Sequence, residues 1–264
     1  MEVSQRIAVS GMLANQRMLD VVSNNLSNAA TTGFKSAVAH TTDVGYQAGL
    51  TAPVGPAGVD VHLVGIGEGT QLSDVTSTFG PGALQATGNP FDMALQGDGF
   101  FQVTQPDGST GYTRDGNFNL DASGRLVTAG GLPVQSDTGA DLVVPQGSMS
   151  ARLDDSGALL ATDATGNDQV VGNVGVSQFA NNAGLQANGQ NLWTATAASG
   201  AATSIAQGAT GAPVLVAGAL EGSNVDMADQ FSRMIQAQRG YQMNAKVVQT
   251  WDEIQQMANN LRSA

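Results

Sequence analysis

The sequence predicts an α+β fold. Long N- and C-terminal helices pair as a coiled coil, and between them lie an extended connector and an antiparallel all-β central domain. Apolar residues at both ends of the chain recur at steps of three and four, as in amphipathic helices. All eight prolines and 30 of the 34 glycines fall between residues 37 and 221, which is typical of short strands joined by turns. The predicted segments are residues 1–36 (N-terminal helical segment), 37–84 (extended connector), 85–221 (central antiparallel β domain) and 222–264 (C-terminal helix, pairing with residues 1–36).

The C-terminal helix is predicted over residues 223–261, the one long stretch that lacks proline and holds a single glycine, Gly240. Ser223 or Asn224 would cap its N-terminus, and Arg262 lies at the far end, where cations are favoured. Such a helix spans roughly 55–60 Å, so its apolar rows need a partner of comparable length. The rows are Met227, Phe231, Met234, Tyr241, Ala245 and Val248, and Val247, Trp251, Ile254, Ala258 and Leu261.

Residues 3–30 are predicted to form the helix that pairs with it. Their apolar positions advance by fours and threes, and Gly11 and Ala14 would let another backbone approach closely. The helix is expected to stop near residues 31–33, where Gly33 can adopt the left-handed conformation of a helix C-cap. The apolar face consists of Val3, Ile7, Gly11, Ala14, Met18, Val21, Asn25 and Ala29, widened by Leu13, Val22 and Leu26.

The connector shows no clean periodicity between residues 36 and 84, and Pro53 and Pro56 interrupt it. Short extended pieces are expected around residues 59–64 and 74–78. The connector is therefore predicted to be extended and partly irregular, and a flexible loop is the alternative.

The β domain is predicted from Asn89 onward by short apolar runs between turn sequences. The tetrapeptides PDGS, RDGN, DASG and DDSG indicate turns, because their aspartates bond their own backbone and their glycines accept positive φ. The predicted strands are residues 99–104, 111–114, 118–120, 125–128, 132–135, 141–144, 150–154, 169–180 and 190–195.

Composition argues against several classes of protein. Between residues 37 and 221, 16 acidic residues face three arginines, so there is no cationic stripe for phosphate and no nucleic-acid partner is expected. No cysteine occurs, so nothing depends on disulfides or on Cys-ligated metal. The N-terminal residues lack the unbroken apolar region of a cleavable export signal. No apolar run reaches the length that crosses a bilayer, so membrane insertion is not expected.

No cofactor or metal site is predicted. The glycine clusters at Gly65 and Gly97 lack the GxGxxG or GxxxxGK spacing of phosphate-binding loops. Residues 119–130 imitate the first half of a calcium loop, but the last position is Gly130 instead of glutamate. A turn is the better interpretation of that stretch.

No catalytic group is predicted either. His40 and His62 are the only histidines, and neither belongs to a spaced set of ligands, so surface or packing roles are expected. Asp154 and Asp155 are neighbours and would point to opposite faces of a strand. The chain is therefore not expected to be an enzyme.

Three blocks resemble one known family, in the expected order. NNLSNAATTGFK (residues 24–35) is similar to the N-terminal signature of bacterial flagellar rod and hook proteins. Residues 87–135, which include PDGSTGYTRDG and LVTAGG, are similar to the segment that these proteins share in the body, and residues 219–254 resemble their common C-terminal helix. The length and these phrases are most similar to the distal rod branch; the proximal rod and the longer hook are the alternatives.

The resemblance implies a structural subunit. Family members pack their terminal helices into the inner tube of a helical filament, with β domains outside. The implied partners are further copies of the chain, proximal rod and hook subunits, the surrounding ring proteins and the flagellar export apparatus. The implied place is the periplasm-spanning rod of the basal body, reached without a cleavable signal. Two alternatives come from other classes: a secreted carbohydrate-binding or adhesin module, and a peptidoglycan hydrolase.

The assembly interface is predicted along the two helical rows. A contact between different surfaces that repeats without closing into a ring gives an open helical polymer. Asn24, Asn25 and Asn28 are expected either to tie the N-terminal helix to the connector through their amides or to cap that helix. The candidate interface residues are Ile7, Leu13, Met18, Val21, Asn25, Leu26, Asn28, Phe34, Phe231, Ile235, Tyr241, Val248 and Ile254.

Overall fold

The computed structural model describes residues 2–47, 66–206, 208–209 and 211–263. The expected class is confirmed in its outline, since helices occupy the two ends and strands fill the centre. The chain forms two compact units. The first comprises Met1–Ser27, Ala37–Ser77 and Asp226–Ala264, and the second comprises Asn28–Ser36 and Thr78–Val225.

The first unit combines two helices with two antiparallel strand pairs. One strand of each pair comes from before residues 48–65 and the other from after them. The longer ribbon pairs β1 with β4, and the shorter pairs β2 with β3. The elements are α1 (Glu2–Ser27), β1 (Ala37–Asp43), β2 (Tyr46–Gln47), β3 (Ile66–Gly67), β4 (Thr70–Ser77) and α2 (Met227–Ser263).

The two helices pack against each other and run antiparallel. Near the end of α1, Asn25 Nδ2 donates to Gln230 Oε1, near the start of α2, at 3.1 Å. Towards the beginning of α1, Gly11 lies against Asn244, far along α2. Residue numbers therefore fall along α1 as they rise along α2.

Glycine allows this close approach. A Cβ built on Gly11 would lie 2.5 Å from Asn244 Nδ2, and one built on Gly240 would lie 2.6 Å from Asn15 Oδ1. Real Cβ atoms do not approach so closely, so each glycine makes room for an asparagine of the other helix. Asn15 is held in place because its Nδ2 donates to the backbone oxygen of Gly11 at 2.7 Å.

The N-terminus of α2 is capped by a residue other than the two predicted. Asp226 Oδ1 accepts hydrogen bonds from the backbone N–H groups of Ala228 (2.8 Å) and Asp229 (3.3 Å), which is the geometry of an N-cap. The prediction of Ser223 or Asn224 was wrong. Their side chains bond outside the helix, so the first helical residue moves four positions along the chain.

The end of α1 also comes earlier than predicted. The helix ends at Ser27 and turns follow it; the backbone N–H of Thr31 donates to the oxygen of Asn28 at 3.1 Å. Gly33 does adopt positive φ, 66°, but six residues beyond the helix, where it is not a C-cap. A Cβ there would lie 2.6 Å from the backbone nitrogen of Asp115.

The predicted connector contains the β1–β4 ribbon. The extended piece expected around residues 74–78 is confirmed by β4, which pairs from Ala37↔Ser77 to Asp43↔Thr70. The extended piece expected at residues 59–64 lies outside the described residues, as do Pro53, Pro56, His62 and Gly65.

The second unit is built from short antiparallel strands. Its largest sheet has six strands in the order β15-β16-β8-β7-β14-β17, and a three-stranded sheet has the order β11-β12-β13. Two-stranded pairs complete the unit: β9 with β10, β6 with β18 and β5 with β19. The strands are β5 (Leu84–Ala86), β6 (Met93–Gln96), β7 (Phe100–Thr104), β8 (Thr110–Thr113), β9 (Phe118–Leu120), β10 (Leu126–Thr128), β11 (Ser150–Leu153), β12 (Ala158–Thr162), β13 (Asp168–Asn173), β14 (Val176–Gln178), β15 (Gln186–Gly189), β16 (Leu192–Thr194), β17 (Thr203–Ser204), β18 (Val214–Ala217) and β19 (Ala219–Glu221).

Most predicted strands are found within one or two residues. Two are not: residues 132–135 and 141–144 make only isolated bridges, such as Val103↔Val134 and Gln135↔Asp141. These segments supply core residues without forming a continuous ladder. Predicted strand 169–180 is two strands, β13 and β14.

The turn chemistry predicted for the β domain is confirmed. Asp107 Oδ1 accepts from the backbone N–H of Ser109 at 2.9 Å. Asp121 Oδ1 accepts from the backbone N–H groups of Ser123 (2.8 Å) and Arg125 (2.9 Å). The stretch that imitates a calcium loop therefore uses its carboxylate to close a turn.

Replacing Gly240 by alanine is expected to lower the free energy of unfolding by about 1–3 kcal/mol. The new Cβ would press on the Asn15 side chain, which is already held by its own hydrogen bond. In an unobstructed helix the same change would stabilise by about 1 kcal/mol. Urea unfolding followed by circular dichroism measures the difference.

Two controls isolate the contact. The double variant Gly240→Ala/Asn15→Ala removes the obstruction and should recover the loss. Gly45→Ala, where a Cβ would have no neighbour within 4 Å, should change stability by less than about 0.5 kcal/mol. Equal losses in the single and double variants would contradict the packing of α1 on α2.

Candidate assembly interface

The face of α2 that meets α1 follows a seven-residue repeat. The least exposed positions of α2 recur at steps of four and three, the spacing at which one face of a helix stays turned towards a partner helix. Ala237, at the centre of this face, is 1% exposed. The positions are Gln230, Met234, Ala237, Gly240, Asn244, Val248 and Trp251.

The contact between the helices, called the seam here, is made largely by small and amide side chains. It is defined by three pairs: Asn25 with Gln230, Asn15 with Gly240, and Gly11 with Asn244. The buried residues of α1 fit this description, because apart from Val22 they are glycine, alanine or asparagine. Small residues bring the helix axes close together and bury few large side chains.

Asn25 does what the sequence predicted for this group of asparagines. Its Nδ2 donates to the backbone oxygen of Ala37 at 2.8 Å, and its Oδ1 accepts from the backbone N–H of Ala37 at 2.9 Å. With the bond to Gln230, one buried amide joins α1, β1 and α2. Asn28 Oδ1 instead accepts from Thr31 Oγ1 at 3.1 Å.

The candidate interface residues divide by exposure. Asn25 is buried, and Ile7, Met18, Val21, Leu26 and Val248 are half-buried within the first unit. Asn28 and Phe34 are half-buried and belong to the second unit. The remaining five, which are large and exposed, are Leu13, Phe231, Ile235, Tyr241 and Ile254.

Apart from Tyr241, the large exposed apolar residues of α2 form two patches. The N-terminal patch is Met227, Phe231 and Ile235, four residues apart, and each side chain is about half exposed. The C-terminal patch is a longer series at steps of three, four and seven. At 100° per residue, Phe231 of the N-terminal patch lies about 100° round the helix axis from Gln230, which faces α1. Leu261 of the C-terminal patch lies about 140° from Gln230 in the opposite direction, so the two patches lie on different sides of α2. The C-terminal patch consists of Met243, Val247, Ile254, Met257 and Leu261.

A buried ion cluster lies in the second unit, and sequence reasoning did not find it. Lys35 Nζ lies 2.7 Å from Glu221 Oε1, and Arg114 Nη1 lies 3.5 Å from Glu221 Oε2. All three side chains are at most 2% exposed. Further donors hold the cluster: Lys35 Nζ donates to the oxygen of Gly80 at 2.9 Å, and the N–H of Gly82 donates to Glu221 Oε1 at 2.8 Å.

The cluster holds two buried cations, Lys35 and Arg114, against one contacting carboxylate, Glu221. Burial lowers the pKa of Lys35, although its hydrogen bond to Glu221 opposes the shift. Burial lowers the pKa of Arg114 as well, and its guanidinium lies 5.2 Å from the centre of the Phe100 ring. Two cations thus depend on one contacting carboxylate, which makes Glu221 the critical member.

The signal for this cluster was present in the sequence. Each of the three charged residues lies within, or next to, one of the blocks that resemble flagellar proteins: Lys35 in GFK, Arg114 in YTRDG and Glu221 in ALEG. Composition alone could not pair them, because 79 or more residues separate them along the chain.

Asn224 holds the same region through its amide. Its Oδ1 accepts from the backbone N–H of Ser36 at 2.7 Å, and its Nδ2 donates to the oxygen of Thr78 at 2.7 Å. These bonds explain why Asn224 is not the helix cap. The segment before α2 is thereby tied to Ser36, which precedes β1, and to Thr78, which follows β4.

Candidate catalytic and metal residues play structural roles. His40 is exposed, with Nε2 2.9 Å from Thr76 Oγ1, which confirms the surface role predicted for it. Asp155 Oδ1 accepts from the backbone N–H of Ala217 at 2.9 Å, and Asp154 Oδ2 accepts from Ser156 Oγ at 3.0 Å. Among the described residues, no three His, Asp or Glu side chains are grouped as metal ligands.

A polar cavity of about 380 Å³ lies in the second unit beside Asp115. Burial raises the pKa of Asp115, and its Oδ1 accepts from Thr32 Oγ1 at 2.9 Å. Asp115 is the one acidic residue that lines this cavity within the described part of the chain. A catalytic pair of carboxylates is not assembled there.

Family models match three parts of the chain. "Flagella basal body rod protein" matches residues 6–35, "Flagellar hook protein FlgE/F/G D1 domain" matches residues 94–161, and "Flagellar basal body rod FlgEFG protein C-terminal" matches residues 216–261. Together the three models cover more than half of the chain, in the same order as the three blocks that resemble flagellar proteins. The class defined by the two terminal helices and the β-rich centre is therefore that of flagellar rod and hook proteins.

Relatives that match the chain along its full length show which members of this class it resembles most. The chain is 39% identical to the flagellar basal-body rod protein FlgG of Bacillus subtilis over 96% of this chain and 97% of that protein. It is 37% identical to FlgG of Caulobacter vibrioides over 98% of each. The flagellar hook protein FlgE of Helicobacter pylori is 45% identical, but over 50% of this chain and 20% of that protein. The chain belongs to the flagellar basal-body rod protein family, and it is a structural protein rather than an enzyme.

Glu221→Gln is expected to lower the free energy of unfolding by about 3–5 kcal/mol, because it leaves Lys35 and Arg114 buried without a contacting carboxylate. Lys35→Met keeps the Arg114–Glu221 pair and should cost less. Denaturant unfolding of the purified chain measures both. Asp168→Asn is the matched control, because it removes the exposed Arg152–Asp168 pair, which water and salt screen, and it should lower the free energy of unfolding far less. Similar losses for Glu221→Gln and Asp168→Asn would contradict a structural role for the cluster.

Proposed function

We propose that this protein is the structural subunit of the distal rod, polymerising into the helical drive shaft that carries torque from motor to hook. The observation that supports the rod over the hook is the end-to-end match to FlgG, with 97–98% of two relatives covered. The match to a hook protein covers only one fifth of that protein. The distal branch is favoured by the body phrases PDGSTGYTRDG and LVTAGG.

The partners follow from that position. Copies of the same chain form the shaft, proximal rod and hook subunits adjoin its ends, and ring proteins surround it. The subunit reaches the periplasm-spanning rod through the flagellar export apparatus. None of the helices described is apolar enough over a sufficient length to cross a membrane.

The helix pair works as a coiled coil in the shaft. The seven-residue repeat along α2 and the glycine contacts of the seam support this, since coiled coils keep one face of each helix on its partner. Antiparallel pairing within one chain leaves the N-terminal and C-terminal patches outside the seam. Neighbouring copies then cover those patches, and each burial of a large apolar side chain contributes about 1.5–3 kcal/mol.

Assembly of the purified chain tests this function. We expect tubular assemblies of rod diameter in negative-stain electron microscopy, and restored motility when the chain is expressed in a strain that lacks its distal rod subunit. Rescue of a strain that lacks the hook, and not of the rod-deficient strain, would favour the hook alternative. Neither tubes nor rescue of any flagellar mutant would contradict the proposal.

Phe231→Asp is expected to stop assembly while the chain still folds. Phe231 is 49% exposed, so a carboxylate there remains hydrated in the free subunit, but it would have to be buried unpaired in the shaft. Electron microscopy scores the tubes, and circular dichroism scores the fold. Gln236→Asp, at an exposed polar position five residues further along α2, is the control and should assemble. Normal tubes and motility with Phe231→Asp would remove the N-terminal patch from the interface.

A further inference from the structure

The last turns of α2 extend past the start of α1. Gly11, which contacts Asn244, lies nine residues after Glu2, where α1 begins. Because the helices are antiparallel, the residue of α2 that is level with Glu2 is Glu253, nine residues beyond Asn244. The helix continues to Ser263, about 15 Å further at 1.5 Å per residue. Residues 252–261, the C-terminal extension, are all exposed.

The extension is amphipathic in a way that suits a groove. Ile254, Met257 and Leu261 follow one another at steps of three and four, and Leu261 is 81% exposed. These are the spacings by which a helix places anchors in an apolar groove. Glu253 lies one turn before Met257, on the edge of this apolar row.

A groove of matching length lies in the same unit, between α1 and β4. Its volume is about 460 Å³, and its lining includes Ser10, Leu13, Ala14, Arg17 and Leu72. Along α1 it runs from Ser10 to Arg17, two helical turns, which is about 10 Å. The row from Ile254 to Leu261 also advances by seven residues, so it has the same length as the groove.

The charges of groove and extension are complementary. Arg17 is the one charged side chain that lines the groove within the described part of the chain, and it is exposed. Residues 252–263 carry two acids, Asp252 and Glu253, at the near end, and one base, Arg262, at the far end. Glu253 beside Arg17 would place Met257 over Leu13 and Leu261 towards Ser10, so the extension would run antiparallel to α1.

We infer that the C-terminal extension of one copy docks in the α1–β4 groove of a second copy. Groove and extension are different surfaces of one chain, so the contact is head-to-tail and propagates instead of closing a dimer. The inference rests on the proposed function and assigns the two surfaces that meet. Met257 fills the centre of the groove against Leu13, and the Arg17–Glu253 pair sets the direction.

Disulfide trapping tests this contact directly, because the natural chain has no cysteine. Copies with Leu13→Cys and copies with Met257→Cys, carrying tags of different size, are mixed, assembled and oxidised. A heterodimer is expected on a non-reducing gel, at least tenfold above the mixture of Met257→Cys with Gln16→Cys. Gln16 is exposed on α1 but does not line the groove.

The outcomes separate this inference from the proposed function. Tubes without a heterodimer above the Gln16→Cys control would overturn the docking and leave the function standing; absence of tubes would overturn both. Maleimide should label Leu13→Cys quickly in the free subunit and at least tenfold more slowly in tubes. Slow labelling in the free subunit would mean that another part of the same chain fills the groove, which also overturns the docking.

Charge reversal supplies an independent readout. Arg17→Glu should lower the yield of tubes at least tenfold, and Glu253→Arg in the same chain should restore most of it. No loss with Arg17→Glu, or a loss that Glu253→Arg does not relieve, would refute the pairing.

Discussion

Close packing of α1 on α2 is the constraint on which the first unit depends. Gly11 and Gly240 each accept an asparagine of the other helix where a Cβ would collide with it. A seam built from glycine, alanine and amides brings the helices together without using their large apolar side chains. Those side chains therefore remain outside, on two sides of α2. A helix with apolar residues on several sides is normally found inside a larger assembly.

The sequence predicted the two helices correctly but assigned their faces only in part. Periodicity identified α2 because a single glycine and no proline interrupt 37 residues. Hydrophobicity then favoured Phe231 and Ile235 for the interface, whereas the seam is made by Gln230, Ala237 and Gly240. A pattern of large apolar residues does not show which face meets the chain's own helix, because the seam is made by small and amide side chains. The glycine positions carried that information.

In the β-rich unit, too, local features were predicted from the sequence, whereas long-range pairings were missed. Turns were predictable because aspartate and glycine act locally, through bonds to residues two or three positions away. Strands β6 and β18 were missed because they depend on each other across more than 100 residues, as in the pair Met93↔Ala217. The ion cluster of Lys35, Arg114 and Glu221 escaped for the same reason. Its members come from three distant segments, and no local pattern pairs them.

The ion cluster and the seam each fix how segments pack within their own unit. Burying two cations around one carboxylate stabilises little by itself, since desolvation offsets most of the attraction, but separating Glu221 from the buried Lys35 and Arg114 would leave two cations without their contacting carboxylate. The cluster thus specifies one arrangement of residues 28–36, the body strands and the segment before α2 within their unit. The seam in turn specifies one register of α2 on α1. A polymer that transmits torque through repeated contacts needs every subunit in the same conformation, and these two features exclude alternatives in the parts of the chain where the sequence pattern alone would allow several.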